Sequence, residues 1–282
     1  MYPIMRNKNS EIKPAWLVLG KLSVFLSALA VWEVASWEPQ LAFFFGDPQR
    51  VVITLWQWFT EGEGVLDIVW GDHVLYSLHF PAQIYPHLII TLAETLLAFF
   101  IGTAMGMAAG LFLGLNPLLS AIFSPYIKAL NSLPRVILAP IFAMWFGLGI
   151  WSKVAFAITL VFFVVFFNVW QGVRDVNPVL LDNVRMLGAN KRQQLMTIYL
   201  PSATSWVFSS LHMAIGLAFV GSVVGEYLGS YRGIGYLILQ AEGSFDINTI
   251  LAGTLLLTLF ALLLDSGISI IERYTFKYRQ VK

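Results

Sequence analysis

Six ionisable side chains interrupt long apolar runs in this 282-residue chain: Glu94, Lys128, Arg135, His212, Glu226 and Asp265. Charge inside such a run is costly, so these groups are expected to face a bundle interior or a water-filled path, where they bind or relay charge. That chemistry is recognition, not bond making. With no cysteine, the chain has no thiolate nucleophile, disulfide or Cys-based metal centre. The four histidines, His73, His79, His87 and His212, form no His-Glu-x-x-His pair, and there is no Gly-x-Ser-x-Gly elbow. An intramembrane hydrolase therefore lacks its constellation here. An anionic ligand needs a cation along its route, and Arg135, in a proline-interrupted run, is the sharpest candidate. Asn131, Ser132, Ser209, Ser210 and His212 can supply neutral donors, while Glu226 either shapes an external gate or pairs structurally. Lys21 and Glu33 sit near opposite ends of the first apolar run and can snorkel.

A second cluster is polar. Between Arg174 and Pro201, Asn177-Pro178 is a helix start, after which Leu180, Val184 and Leu187 fall on one side and Asp182, Arg185 and Lys191 elsewhere. Gly188 permits a bend, and Leu195 and Ile198 resume an apolar stripe. Two short helices with a turn between them would offer a knob to a partner.

These residues need elements to hold them, and composition says which. Apolar residues make up 58% of the chain and charged residues only 12%, about half the share typical of a soluble domain, roughly 25%. The 17 Lys+Arg nearly cancel the 16 Asp+Glu, so no basic face for nucleic acid is implied. Six stretches are long enough to cross a bilayer as helices, each needing about 20 apolar residues: Pro14 to Ser36, His87 to Leu113, Ala121 to Gly147, Trp151 to Val173, Ala203 to Leu228 and Ile250 to Ile271. The first starts after a basic tail and contains Ala28-Leu29-Ala30, as a signal peptide would. Its apolar run continues through Val31 and Trp32, so an uncleaved first crossing is expected.

Orientation follows from Lys and Arg. Arg6, Lys8, Lys13, Arg174, Arg185, Lys191, Arg192, Arg273, Lys277, Arg279 and Lys282 fall on one side, against Arg50, Lys153 and Arg232 on the other. Both termini are expected in the cytoplasm. The expected organisation is a tail over 1–13, a first span over 14–36, an external segment over 37–86, a five-helix core over 87–273 with the loop 174–201, and a tail over 274–282. In the external segment, Asp47-Pro48 followed by Val51, Leu55 and Trp58 predicts an interfacial helix.

Two spans carry special packing signals. Gly102, Gly106, Gly110 and Gly114 share one face and let another helix approach to backbone contact; the spacing does not say whose helix. Pro125, Pro134 and Pro140 predict a kinked or broken third span, and irregular backbone at membrane depth is tolerated chiefly where it lines a cavity or is buried in protein.

The polar loop reads Asp182-Asn183-Val184-x-x-x-Gly188-Ala189, then Ile198-x-Leu200-Pro201. It resembles the cytoplasmic EAA signature of ABC importer permeases, with Asp182 for the usual Glu and Asn183-Val184 for Ala-Ala. Leu133-Pro134-Arg135 with Ala139-Pro140, Trp145-Phe146-Gly147, Gly225-Glu226 before Gly233-Ile234-Gly235, and Asp265 before Glu272-Arg273 are similar to the nitrate/sulfonate/taurine branch of that family. The resemblance implies an all-α membrane protein of the type I importer permease architecture, six transmembrane helices with cytoplasmic coupling helices. It implies a second permease copy, two cytoplasmic ATPases that bind ATP and Mg, and an external or periplasmic binding protein, in the bacterial inner membrane amid lipid. The chain itself then needs no cofactor, in keeping with the absence of a Gly-x4-Gly-Lys-Ser/Thr loop. In that reading Asp182, Asn183, Val184, Arg185, Gly188, Ala189, Ile198, Leu200 and Pro201 couple to the ATPase, and the cargo is a small oxyanion or organic sulfonate, with nitrate, bicarbonate, taurine, thiamine-precursor pyrimidines and aromatic carboxylates all open. A self-sufficient secondary carrier or channel is the competing class; it leaves the patterned loop without a use.

Overall fold

The structure, a computed structural model, describes residues 14–70 and 73–276. Of the charged residues used above for orientation, Arg6, Lys8, Lys13, Lys277, Arg279 and Lys282 lie outside the described residues, as does the side chain of Arg273; so does the side chain of Ser209. Among the described residues, five helices are long and apolar enough to cross a membrane: α1 (Pro14–Ser36), α4 (Ile84–Leu115), α7 (Ile150–Arg174), α10 (Leu200–Leu228) and α12 (Ile247–Phe276). Helices α2 (Pro39–Phe45) and α3 (Pro48–Thr60) follow α1, with Asp47 capping α3 by accepting from the Gln49 N–H at 2.8 Å.

The sixth expected span is not one rod. It is α5 (Pro117–Asn131) and α6 (Leu138–Phe146), bent by 76° around residues 132–134. Only Pro134 breaks the chain. Pro140 lies in the first turn of α6, which a 3-10 turn over Arg135–Ile137 leads into, and does not interrupt it, and Pro125 is accommodated inside α5.

One expectation needs correction: the chain is not purely helical. Strands β1 (Gly64–Trp70) and β2 (His73–Phe80) form an antiparallel hairpin, with Asp67 opposite Ser77. The Ser77 hydroxyl donates to Asp67 Oδ1 at 2.7 Å. The signal was present, since Gly71-Asp72 separates two runs rich in Val, Leu and aromatic residues.

The core is built on glycine. A Cβ placed on Gly102, Gly106, Gly110 or Gly114 would lie 2.8–2.9 Å from Val161, Val165, Val169 or Val173, or from the backbone between them. Partners rise together along both helices, so α4 and α7 run parallel, and the face whose owner the spacing left open meets α7 of the same chain. Helix α10 runs the other way against α7, with Gly172 on Trp206, Gly221 on Ala157 and Gly225 on the stem of Lys153. Val161, Val165, Val169, Ala157, Ala214 and Ala218 are fully enclosed between these three helices.

We expect Gly106→Val to force α4 off α7 and to destabilise the protein by about 1–3 kcal/mol, the usual cost of overpacking. Gly20→Val, where an added Cβ meets nothing, is expected to leave the unfolding midpoint in detergent within the wild-type error; equal midpoints for both variants would count against this packing.

Candidate functional site

The loop between α7 and α10 contains α8 (Pro178–Met186) and α9 (Lys191–Gln194). Asn177 caps α8 by accepting from the Val179 N–H at 2.9 Å. Gly188 ends it with φ of +81°, a left-handed backbone that costs a side-chain-bearing residue roughly 1–2 kcal/mol. The Ala189 N–H reaches the Val184 carbonyl at 3.2 Å and the Gly188 N–H reaches Arg185 at 2.9 Å. These two bonds are a Schellman stop, which fixes the turn without help from elsewhere. Asn190 and Gln193 then form a capping box that starts α9. A π-helical turn over Leu195–Tyr199 joins α9 to α10 and carries the buried Ile198.

The apex is apolar and bare. Leu187 is 85% exposed and Met186 79%, Val179 and Leu180 are exposed beside them, and a Cβ on Gly188 would meet nothing. Asp182 pairs with Arg185 at 3.2 Å on the surface, which is worth little to stability. Asn183 accepts the Leu187 N–H through its carbonyl, and Leu200 and Pro201 open α10.

The candidate pathway residues separate into three groups. Arg135 donates to the Asn131 side chain, and its guanidinium sits 5.0 Å over the Phe163 ring of α7. The Ser132 hydroxyl instead donates to the Lys128 carbonyl at 2.9 Å. His212 is held at both ring nitrogens, by Asp265 at 2.9 Å and Glu272 at 3.0 Å, so it ties α10 to α12. That identifies the partner of Asp265, which sequence alone did not. Ser209 lies on α10, its side chain outside the described residues, and Ser210 donates to the Val207 carbonyl at 2.6 Å.

Glu226 belongs to a different region, at the hairpin end of the bundle. It is fully buried and accepts from the Thr91 hydroxyl at 2.6 Å and the Gly235 N–H at 2.8 Å. The Ile234 N–H donates to Thr91 Oγ1 at 3.1 Å, and the Gly233 N–H to His87 Nδ1 at 3.0 Å. The start of α11 (Ile234–Gly243) is thus capped by α4 and α10, with a carboxylate at its positive end. Gly233 and Gly235 are required because a Cβ on either would strike Glu226 or the Val223 carbonyl at 2.2–2.5 Å.

Lys153 corrects an expectation. Counted above among charges on the external side, it is 1% exposed inside the first turn of α7. Its ammonium donates to the Leu148 and Gly149 carbonyls and attracts both Glu94 and Glu226. Sequence reasoning missed it because it stands three residues from the helix start, where a loop charge looks the same.

Parallel and antiparallel long helices around a glycine core, a proline-broken span and a projecting helical turn make a bundle of membrane-length helices. The chain matches, over residues 83–277, the family described as binding-protein-dependent transport system inner membrane component, and it belongs to that family. It is 29% identical over 235 residues to SsuC of Bacillus subtilis (strain 168), named for aliphatic sulfonates transport, covering 81% of this chain and 85% of that protein. It is 26% identical to the taurine transport system permease protein TauC of Escherichia coli (strain K12), covering 91% and 87%. The fold is similar to a chain of the inward-facing MetNI methionine ABC transporter, with a TM-score of 0.59 at 19% identity over 68% of this chain and 97% of that one. The chain is an ABC transporter permease with sulfonate and taurine relatives.

Replacing Glu226 by Ala is expected to cost about 2–5 kcal/mol, because the Thr91 hydroxyl and the Gly235 N–H are left buried without their acceptor, and Glu226→Gln about 1–3 kcal/mol, because its NH2 meets one of these donors and leaves it unmatched. Chemical unfolding in detergent measures both; an alanine variant as stable as wild type would contradict the capping role.

Proposed function

We propose that the chain is the membrane-spanning subunit of an ATP-driven importer, working as two copies on two cytoplasmic ATPases that bind ATP and Mg, and receiving cargo from an external binding protein. The observation that carries this is the bare apolar apex Met186-Leu187, held on a self-stabilised turn. Two large apolar side chains at the tip of a polar loop call for a partner groove. The 11-to-2 excess of Lys and Arg on the side of this loop, with the buried Lys153 left out, supports a cytoplasmic apex in the inner membrane. Asp182, Asn183, Val184, Arg185, Gly188, Ala189, Ile198, Leu200 and Pro201 would form the coupling element. Because α8 and α9 connect directly into α7 and α10, a push on the apex would be delivered to both helices.

For cargo we infer a small organic anion of the sulfonate and taurine class, supported by the two relatives named above. Arg135, held by Asn131 and a phenyl face beside the broken span, is the cation such an anion would meet.

The test is uptake of a labelled alkanesulfonate into sealed vesicles containing the permease, with and without the ATPase and ATP. Leu187→Asp and Gly188→Trp are expected to abolish ATP-dependent uptake and ATPase co-purification while leaving the unfolding midpoint of the permease alone within about 2 kcal/mol of wild type. Normal ATP-driven transport by either variant would overturn the coupling role. Uptake by wild type without ATPase would favour a secondary carrier instead.

A further inference from the structure

Two exposed stripes on membrane-depth helices carry charge that the chain itself does not answer. On α12, Thr254, Thr258, Asp265 and Glu272 share a face, at spacings of four and seven residues. The threonine hydroxyls donate to the Ile250 and Thr254 carbonyls of their own helix at 2.8 and 2.9 Å. The carboxylates are not met so fully. His212 takes one oxygen of each, and even a doubly protonated ring leaves two carboxylates against one cation, with the Asp265 side chain 58% exposed. On α5, Ala121, Pro125 and Lys128 form a second exposed stripe. Lys128 makes no ion pair among the described residues, and a helix end offers a cation only about half a negative charge.

The two unmet charges stand at one level. Helix α5 starts where α4 ends, and α12 ends beside the stretch of α10 that leaves the Gly188 loop, so both are measured from the same end of the bundle. Lys128 is 11 residues past Pro117 (128 minus 117) and Asp265 is 11 before Phe276 (276 minus 265), which puts each roughly 16 Å in at 1.5 Å per residue. At that depth a charge facing lipid is costly. Within one chain α5 packs on α4, whereas α12 packs on α3, α10 and α11. The chain therefore presents a cation and an anion at equal height on separate outer faces.

We propose that a second copy of this chain covers both stripes, with Lys128 of each copy paired to Asp265 of the other. In a two-fold contact, residue i meets j and j meets i, so one complementary pair becomes two bridges. The assignment rests on the reading of the permease as two copies and adds which faces join them. Asp265 has its Oδ2 to give, because His212 engages only Oδ1. A water-filled path along both stripes would also hydrate the charges, but it would leave their opposite sign and common height unexplained.

The chain has no cysteine, so introduced cysteines report this contact without background. In the full-length permease in membranes, Lys128→Cys combined with Leu262→Cys, an exposed position one turn from Asp265 that leaves the His212 ties intact, is expected to give a covalent dimer with a short bis-maleimide. Neither single variant is expected to do so. In detergent, Lys128→Asp is expected to raise the dimer dissociation constant about tenfold or more, and Lys128→Asp with Asp265→Lys to return it to within about threefold of wild type. The cross-link decides the matter should Asp265→Lys not fold. A dimer that forms without the cross-link, a Lys128→Asp dimer as tight as wild type, or no recovery in a folded double variant would overturn the proposal. These failures leave the importer reading intact, because ATP-driven uptake in vesicles tests that separately. A permease that stays monomeric while ATP-driven uptake also fails would remove the contact and the two-copy reading together.

Discussion

Everything in this molecule is arranged around the place where α4 and α7 touch without side chains between them. In a bilayer there is no hydrophobic gain from pressing two apolar helices together, because lipid tails are as apolar as leucine. What remains is dispersion, which falls steeply with separation. Four glycines in register on α4 bring its backbone against the valine row of α7, and the stiff, branched valines fill the groove without losing rotamer freedom. Because α10 is pinned to α7 by Gly172, Gly221 and Gly225 and also packs against α4, the three helices make one unit. The broken span α5–α6, α1 and much of α12 are left with apolar surface outward.

Polar stitching fixes that unit at its hairpin end and along the outer flank of α10. At the hairpin end, Glu226 joins α10 to α4 through Thr91 and to α11 through Gly235. Its burial is tolerated because each oxygen accepts a hydrogen bond and a helix N-terminus faces it. Lys153 extends the same device to the α6–α7 connection by binding the Leu148 and Gly149 carbonyls. Further along α10, His212 bridges to α12 through two carboxylates seven residues apart. Apolar helices in lipid can rotate about their axes at little cost, and these few directional bonds fix the rotation.

Much of this was legible in the sequence, for reasons that differ by residue. The glycine row needed no partner to be recognised, since spacing alone puts it on one face; its partner valines were invisible within a long apolar run. Pro134 announced a break, but Pro125 and Pro140 looked the same in sequence, and only position within a helix separates a tolerated proline from a breaking one. Asn177, Pro178 and Gly188 described the turn completely, because caps and a left-handed glycine are local devices. What is not local did not show. Asp265 and His212 are 53 residues apart, Arg232 and Asp67 further still, and nothing in composition pairs them. Lys153 was misassigned because a charge near a helix start reads as a loop charge, whereas the absence of a side chain on Gly225, 72 positions later in the chain (225 minus 153), is what opens room for its stem.

The same division between local and non-local devices bears on how force could pass through the proposed importer. A lever must not absorb the displacement it transmits. The turn at Gly188 satisfies that locally: two hydrogen bonds and a capping box define it, and among the described residues nothing lies within 4 Å of where a side chain on Gly188 would start. It joins α7 and α10, which are in contact along most of their length, so displacement at the apex moves a packed pair and does not bend a lone helix. The compliant point lies elsewhere, at residues 132–134, where Pro134 withholds a donor and the span turns through 76°. Arg135 stands at that hinge, braced on Asn131 and Phe163. A rigid body that carries the push and a hinge that carries the candidate anion ligand are therefore distinct parts of one chain, and relative motion between them would change what surrounds Arg135 without repacking the glycine core.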